Sequence, residues 1–270
     1  MIIDGRQIAS EILGAVAEAL PRTPVVRAIV VSPSAATESY LSIKETRAED
    51  AGMHLEIVRM SESATTEDVI DAVLEPGCDA LIVQLPLPAH LDQQAILAAI
   101  PESKDADVLS EVAYAHFVAG AEGALVPPVA GALAEILMRE GVDPSGKRAV
   151  VVGQGRLVGE PCSEWLRSRG ASISVLTRES GDLSILKDAD IIVSGAGAPG
   201  IITPAHIKSG VVLIDAGTSE QGGAIVGDAT PECALVASVF TPVPGGVGPI
   251  AVACLFRNVG ALLERALQAE

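Results

Sequence analysis

Aromatic side chains are scarce in this chain of 270 residues, with three Phe, two Tyr and one Trp. The core must therefore be built from Ala, Val, Leu and Ile, and Tyr40 and Tyr114 stand out as rings to account for individually. Basic residues are also few: 18 Lys and Arg face 35 Asp and Glu, a formal net charge of -17. A surface this acidic repels phosphate backbones and anionic membranes, which argues against nucleic acid or a membrane as partner. No uninterrupted apolar run reaches the roughly 18 residues of a membrane span. Met1-Ile-Ile-Asp-Gly-Arg6 lacks the basic-then-apolar order of a signal peptide. Cys78, Cys162, Cys233 and Cys254 are far apart and form no C-x-x-C pair, so no disulfide framework is expected and a reducing cytoplasm fits. His54, His90, His116 and His206 are equally scattered, so no metal site is expected.

What is present is a globular composition, 49% apolar and 20% charged, at a length suited to two domains. Short β-branched runs alternate with helix-like stretches. The pattern predicts strands at 27–32, 54–60 and 80–85 with helices at 37–52, 66–74 and 91–100. After Gly123 the rhythm restarts, with a helix at 129–140, a strand at 148–153, a helix at 158–169 and strands at 172–177, 190–194 and 211–215. A Pro/Gly-rich loop at 241–249 precedes a closing helix from 251 to about 267. This β-α-β order implies an α/β fold with parallel strands in both halves and a boundary near Ala121 to Val129.

Several segments carry chemistry. Gly153-Gln154-Gly155-Arg156-Leu157-Val158-Gly159 follows an apolar strand and opens a helix, the context in which a glycine loop cradles a dinucleotide pyrophosphate. Its G-x-G-x-x-x-G spacing also suits a plain strand-to-helix turn. At the end of the next strand, Arg178 could pair a 2'-phosphate and favour NADP, whereas the acidic Glu179 would favour NAD; both also suit a solvated turn. Tyr40 and Lys44 stack at i and i+4, placing a ring beside an amine that becomes a useful base only if burial lowers its pKa; otherwise it is an ordinary surface lysine. Gln84 stands at the carboxyl end of a buried strand, where open α/β sheets bind ligands, and reads either as a ligand-side amide or a satisfied structural one. Lys104-Asp-Ala-Asp107 offers two acids for capping a helix or for orienting a ligand rich in N–H donors. The loop Thr241-Pro-Val-Pro-Gly245-Gly246-Val-Gly-Pro249 is rigid and poor in side chains, suited to close contact with a cofactor or substrate.

Taken in order, these residues resemble the methylenetetrahydrofolate dehydrogenase/cyclohydrolase family. The resemblance runs from Ile3-Asp4-Gly5 through Tyr40, Lys44, Val83-Gln-Leu-Pro-Leu-Pro88, Lys104-Asp-Ala-Asp107, Val151-Val-Gly153 and Val158-Gly-Glu-Pro161 to Ile214-Asp-Ala-Gly217, Gly227-Asp228 and the loop 241–249. It implies a folate-binding catalytic domain of residues 1–122 with 250–270, a Rossmann-type NAD(P)-binding domain of residues 123–249, a cleft between them and a C-terminal helix returning to the first domain. It implies NADP, with NAD possible, tetrahydrofolate derivatives as substrates and a homodimer. By position, Lys44 corresponds to the catalytic lysine, Gln84 to the amide that tunes it, Tyr40 to the ring against the aminobenzoyl group and Asp107 to the acid that holds the pterin. Gly153, Gln154, Gly155, Arg156, Val158, Gly159, Arg178, Gly245 and Gly246 form the expected cofactor surface.

The chain departs from the family at identifiable positions. Val108 stands where the family usually has Gly, and Val126-Pro-Pro-Val-Ala130 replaces a P-C-T-P segment. Gly153-Gln154-Gly155 replaces G-R-S, which removes an arginine expected on a 2'-phosphate, and Leu176-Thr-Arg-Glu-Ser180 replaces C-H-S-x-T. Ile250-Ala251 replaces Met-Thr. A non-catalytic folate or nucleotide binder, or a dehydrogenase for another substrate, are the alternatives that these changes leave open.

Overall fold

A computed structural model describes residues 1–178 and 181–269; Glu179 and Ser180, named above beside Arg178, lie outside them. Along the chain run α1 (Gly5–Ala19), β1 (Val25–Val31), α2 (Ala35–Asp50), β2 (His54–Met60), α3 (Thr66–Leu74), β3 (Ala80–Val83), α4 (Gln93–Ala98), α5 (Glu111–Ala119) and α6 (Pro128–Arg139). There follow β4 (Arg148–Val152), α7 (Gly159–Ser168), β5 (Ser172–Leu176), β6 (Ile191–Ser194), β7 (Val212–Asp215), β8 (Ser219–Gln221), β9 (Ala224–Val226), β10 (Val239–Phe240) and α8 (Val247–Ala269). The chain divides into two compact units, Met1–Ala9 with Val129–Ala251 and Ser10–Pro128 with Val252–Glu270. Both are α/β with parallel sheets, and the end of α8 groups with the first half of the chain.

The unit built on Ser10–Pro128 has a three-stranded parallel sheet in the order β2-β1-β3. Central β1 reads VVRAIVV and is buried almost throughout, as a strand covered on both faces requires. Its one charge, Arg27, is satisfied by Glu56 Oε2 at 3.0 Å and by the carbonyls of Glu75 and Pro76. Asp105 extends this sheet by a parallel bridge to Leu81 of β3. The residues after Lys104 thus lie beside the strand that ends at Gln84.

The other unit has a five-stranded sheet in the order β10-β7-β6-β4-β5, parallel in every pair. From β4 the chain goes outward to β5 and then back across to β6. That reversal opens a crevice at the carboxyl ends of β4 and β6, where doubly wound sheets bind ligands. The N-terminal segment adds to the far edge: Ile3 N donates to the Phe240 carbonyl at 2.9 Å, and the Asp4 carboxylate caps α1 by accepting from the Arg6 and Gln7 N–H groups.

Two buried carboxylates shape the loops at the carboxyl edge of this sheet. Asp228 accepts from Ser194 Oγ and from the Ala196 and Ala198 N–H groups, each at 2.7 Å. Asp215 accepts from Gly217 N, Asp228 N and Ala229 N at 2.9, 3.2 and 2.8 Å. A Cβ at Gly217 would run into the Asp228 carboxylate and one at Gly227 into that of Asp215, so the glycines of both motifs make room for the acids.

Helix α8 begins at Val247, inside the stretch expected to be loop. Pro249 is accommodated because the first turn of a helix has N–H groups without intrahelical partners. Between Val247 and Gln268, α8 is long and apolar enough to cross a membrane by length and composition alone, yet 67% of its most apolar stretch is buried within the protein, as in a core helix. Helices α1 and α5 and strands β8 to β10 are further elements that the sequence pattern did not predict.

The Asp215 carboxyl is pushed up to about 6, chiefly by burial, against the N–H groups that it accepts from. A folded-state pKa above the unfolded value means that protonation favours the fold. The contribution is full below about pH 4 and is lost as pH rises through about 6, a difference on the order of 3 kcal/mol. Urea unfolding at stepped pH should therefore show a component of stability falling between about pH 4 and pH 6, absent from Asp215→Asn; an identical slope in both proteins would refute this.

Candidate active site

Helix α2 carries Tyr40 and Lys44. Ser34 caps it, its hydroxyl accepting from Thr37 N at 3.1 Å, and the Arg59 guanidinium grips Glu38 with two bonds of 3.0 Å, tying α2 to β2. Leu41, Lys44 and Ala48 share the helix face turned to the core, at i, i+3 and i+7 spacing, and all are buried. Lys44 is therefore not a surface lysine: only 6% of it is exposed. Its Nζ donates to Gln84 Oε1 at 3.0 Å and lies 5.8 Å from the centre of the Tyr40 ring.

Gln84 follows β3 directly. Its backbone N–H donates to the Ile29 carbonyl at 2.9 Å, continuing the pairing with β1, and its side-chain Nε2 donates to the Leu85 carbonyl at 2.7 Å. The amide is thereby turned so that its oxygen meets Lys44. Tyr40 remains 39% exposed, a ring with a free flank.

The two acids of Lys104-Asp-Ala-Asp107 have separate roles. Asp105 is buried and accepts from Leu109 N at 3.0 Å and Ser110 N at 2.7 Å, while Ser110 Oγ caps α5 by accepting from Ala113 N at 3.2 Å. Asp105 is the acid that fixes the loop before α5, and Ser110 is the cap. Asp107, partly buried, is the one whose charge acts on Lys44. Burial lowers the Lys44 pKa and Asp107 opposes that change. Burial raises the Asp107 pKa, against the pull of Lys44 and with the push of Asp105. Burial also raises the Tyr40 phenol, with a smaller contribution from Asp107. Desolvation thus outweighs pairing for both members, leaving an amine closer to neutrality than a lysine in water.

On the other unit, the glycine loop meets the physical demands of a dinucleotide site. Gly153 has φ +93°, and a Cβ there would lie 2.7 Å from the Gly195 carbonyl oxygen. A Cβ on Gly159 would collide with the Gly153 carbonyl, so this glycine lets α7 start close against the strand. A Cβ on Gly155 would meet nothing within 4 Å, and Gln154, Gly155 and Arg156 are exposed. Val158 occupies the N-cap of α7, and no side chain caps that helix. Arg178 is exposed just past β5, the strand beside β4.

Sequence reasoning passed over Gly195-Ala-Gly-Ala198, the loop after β6 on the other side of the crevice. Gly195 N donates to the Val152 carbonyl at 2.9 Å, and a Cβ on Gly195 would collide with Val158. Its signal was a glycine pair directly after a buried strand. Gly245 and Gly246 have a structural duty of their own: Gly5 N donates to the Gly245 carbonyl at 2.9 Å, and a Cβ on Gly5 would collide with Gly246.

A glycine-lined crevice in one unit and a desolvated amine beside a carboxamide in the other are what a nicotinamide-dependent enzyme acting on a small molecule carries. Residues 3–107 match the tetrahydrofolate dehydrogenase/cyclohydrolase catalytic domain, and residues 127–267 match the NAD(P)-binding domain of the same proteins. The chain belongs to the tetrahydrofolate dehydrogenase/cyclohydrolase family. It is 37% identical over 270 residues to the bifunctional protein FolD of Staphylococcus aureus, covering 95% of this chain and 94% of that one. Among solved structures, the bifunctional FolD of Campylobacter jejuni superposes with a TM-score of 0.93 at 28% identity, covering 98% of this chain and 99% of that one. FolD of Trypanosoma brucei, complexed with NADP cofactor and inhibitor, also gives 0.93, at 31% identity over 99% of this chain and 98% of that one.

Val108, the residue after Asp107, is buried to 3% exposure with φ +56°. A β-branched side chain is strained there, and glycine would not be. Val108→Ala keeps a Cβ in the left-handed region, whereas Val108→Gly removes it. The glycine protein should be the more stable of the two by about 1 kcal/mol, reversing the usual order. Urea unfolding of both proteins measures this, and an alanine protein at least as stable as the glycine one would show an unstrained backbone.

Proposed function

We propose that this protein oxidises 5,10-methylenetetrahydrofolate to 5,10-methenyltetrahydrofolate with NADP and hydrolyses the product to 10-formyltetrahydrofolate, two steps of one-carbon metabolism. The observation that carries the reading is the buried Lys44 amine held by the Gln84 oxygen and acted on by Asp107, in a chain with both domains of the family.

Bound at the glycine crevice, NADP supplies the hydride acceptor. The cradle fits it: Gly153 and Gly159 let the loop and the start of α7 pack closely, the space beside Gly155 is open to a pyrophosphate, and a helix end without a side-chain cap offers positive potential. Gln154, Arg156 and Val158 line the same loop, and Gly245 and Gly246 complete the expected surface. Arg178 is assigned to the 2'-phosphate, the charge that the family's loop arginine would have supplied at Gln154.

Loss of hydride from the methylene carbon needs positioning above all, because the cation that forms is stabilised by its two nitrogens. Tyr40 gives the aminobenzoyl group a flat surface, and Asp107 accepts from the N–H groups of the pterin. Hydration needs a base. Water adds to the methenyl carbon while the neutral Lys44 amine takes one of its protons; Lys44 then returns that proton to N5 as the bond from the carbon to N5 breaks, and the remaining hydroxyl loses its proton to solvent, which leaves the formyl group on N10. Gln84 holds the amine in line by accepting from it. We read the working form as a cytoplasmic homodimer with neither nucleic acid nor a membrane as partner, and the net charge of -17 supports both exclusions.

Lys44→Arg keeps the cation but cannot shed a proton. Methenyl formation followed by absorbance should continue, while methenyl hydrolysis should fall by about 100-fold or more; hydrolysis at the parent rate would exclude Lys44 as the base. Arg178→Ser should raise KM for NADP roughly tenfold or more and leave KM for NAD unchanged. Equal effects on the two cofactors would move the 2'-phosphate contact elsewhere.

A further inference from the structure

Asp107, whose charge acts on Lys44, sits on a short loop with two backbone bonds of its own, from Ala106 N to the Lys104 carbonyl at 3.0 Å and from Val108 N to the Asp105 carbonyl at 3.4 Å. Asp105 fixes the far side through Leu109 N and Ser110 N. The near side is fixed by Asn258 of α8, whose amide nitrogen donates to the Ala106 carbonyl at 2.9 Å and to the Val126 carbonyl at 2.9 Å. Asn258 is buried, with 7% exposed. Two turns further along α8, Arg265 donates to the Gly123 carbonyl, so α8 grips the segment before α6 as well. Asp107 and the strained Val108 are therefore suspended between two anchored points, Ala106 and Leu109.

We propose that Asn258 is a positioning residue for the reaction: by holding the Ala106 carbonyl it sets where the Asp107 carboxyl stands relative to Lys44 and the substrate. The inference rests on the reading of Lys44 and Asp107 given above. A single nitrogen with two N–H groups can join carbonyls from two segments, which an apolar side chain of the same size cannot. Ala106 is buried, so its carbonyl is costly to leave without this donor, while the Val126 carbonyl is only partly buried. The groups around the Lys44 amine are the Tyr40 ring, the Gln84 oxygen and Asp107, with Asp105 behind Asp107. Of these, Asp107 is the one that supports the lysine's charge. A loop freed at Ala106 lets that support weaken.

The test uses the full chain as Asn258→Ala, Asp107→Asn and the double variant. Asn258→Ala should raise KM for methylenetetrahydrofolate roughly tenfold or more and leave KM for NADP at the parent value. It should also move the pH midpoint of methenyl hydrolysis downward, because Lys44 loses the charge that held its proton. In the Asp107→Asn background the same change should add nothing, since both act through one carboxyl. A fall in Tm alone, or effects that simply add, would overturn the proposal and leave Asn258 a structural residue. An Asp107→Asn protein that behaves like the parent would sink the reading beneath it as well. Should the alanine protein not fold, Asn258→Ser, whose hydroxyl can serve one carbonyl, carries the same readouts in smaller measure, and parent values in that folded protein would equally overturn the proposal.

Discussion

Everything at the catalytic end of this protein depends on keeping a lysine amine out of water. Desolvating an ammonium costs several kcal/mol, far more than any one neighbour returns. The face of Tyr40 offers about 0.5–2 kcal/mol and the Gln84 oxygen, as a bond to a charged donor, about 1.5–3 kcal/mol. Asp107 returns part of the rest, and the net effect is to lower the Lys44 pKa. A lysine on the solvent face of α2 would feel no such change. The core-facing register of Leu41, Lys44 and Ala48 thus sets the electrostatics of the amine as well as the packing of the helix.

The same physics recurs wherever a loop leaves a sheet. In one unit Asp105 accepts backbone N–H groups in the loop before α5, and in the other the buried Asp215 and Asp228 accept them just beyond the carboxyl ends of parallel strands. Parallel strands deliver all their loops to one edge, and such loops lack ladder partners for their N–H groups. An aspartate can accept several of them at once. Part of the chain's acidity is therefore internal scaffolding of loops, distinct from its surface charge.

This explains what could be read from the sequence and what could not. Strand β2 and helix α3 have the predicted limits because β-branched alternation and the Thr65–Asp68 capping box are local signals. Helix α8 was expected too late because Pro and Gly at 245–249 suggest loop chemistry, while a helix tolerates proline in its first turn. Tyr40, Lys44, Gln84 and Asp107 could each be named as candidates, but burial separates Lys44 from a surface lysine, and α2 is held against β2. Asp105 and Asp107 are two acids of one short motif; only the bridge to Leu81 and the bonds to Leu109 and Ser110 tell the loop-fixing acid from the other. Asn258 carried no signal at all, since a lone amide in an apolar helix acquires meaning only from the carbonyls that it reaches, more than a hundred positions away.

The loop around Asp107 shows why a valine in the left-handed region persists. Its backbone strain is about 1–2 kcal/mol. The buried Val108 side chain returns about 1.5–3 kcal/mol by leaving water, and the two bonds to the Asp105 carboxylate add about as much each. The conformation is therefore held by its surroundings against the preference of the residue, which is the condition under which strain survives. Glycine at this position would relieve the strain but would also free the chain on either side of Asp107. A valine locked from both ends carries that strain without net loss and fixes the chain beside Asp107.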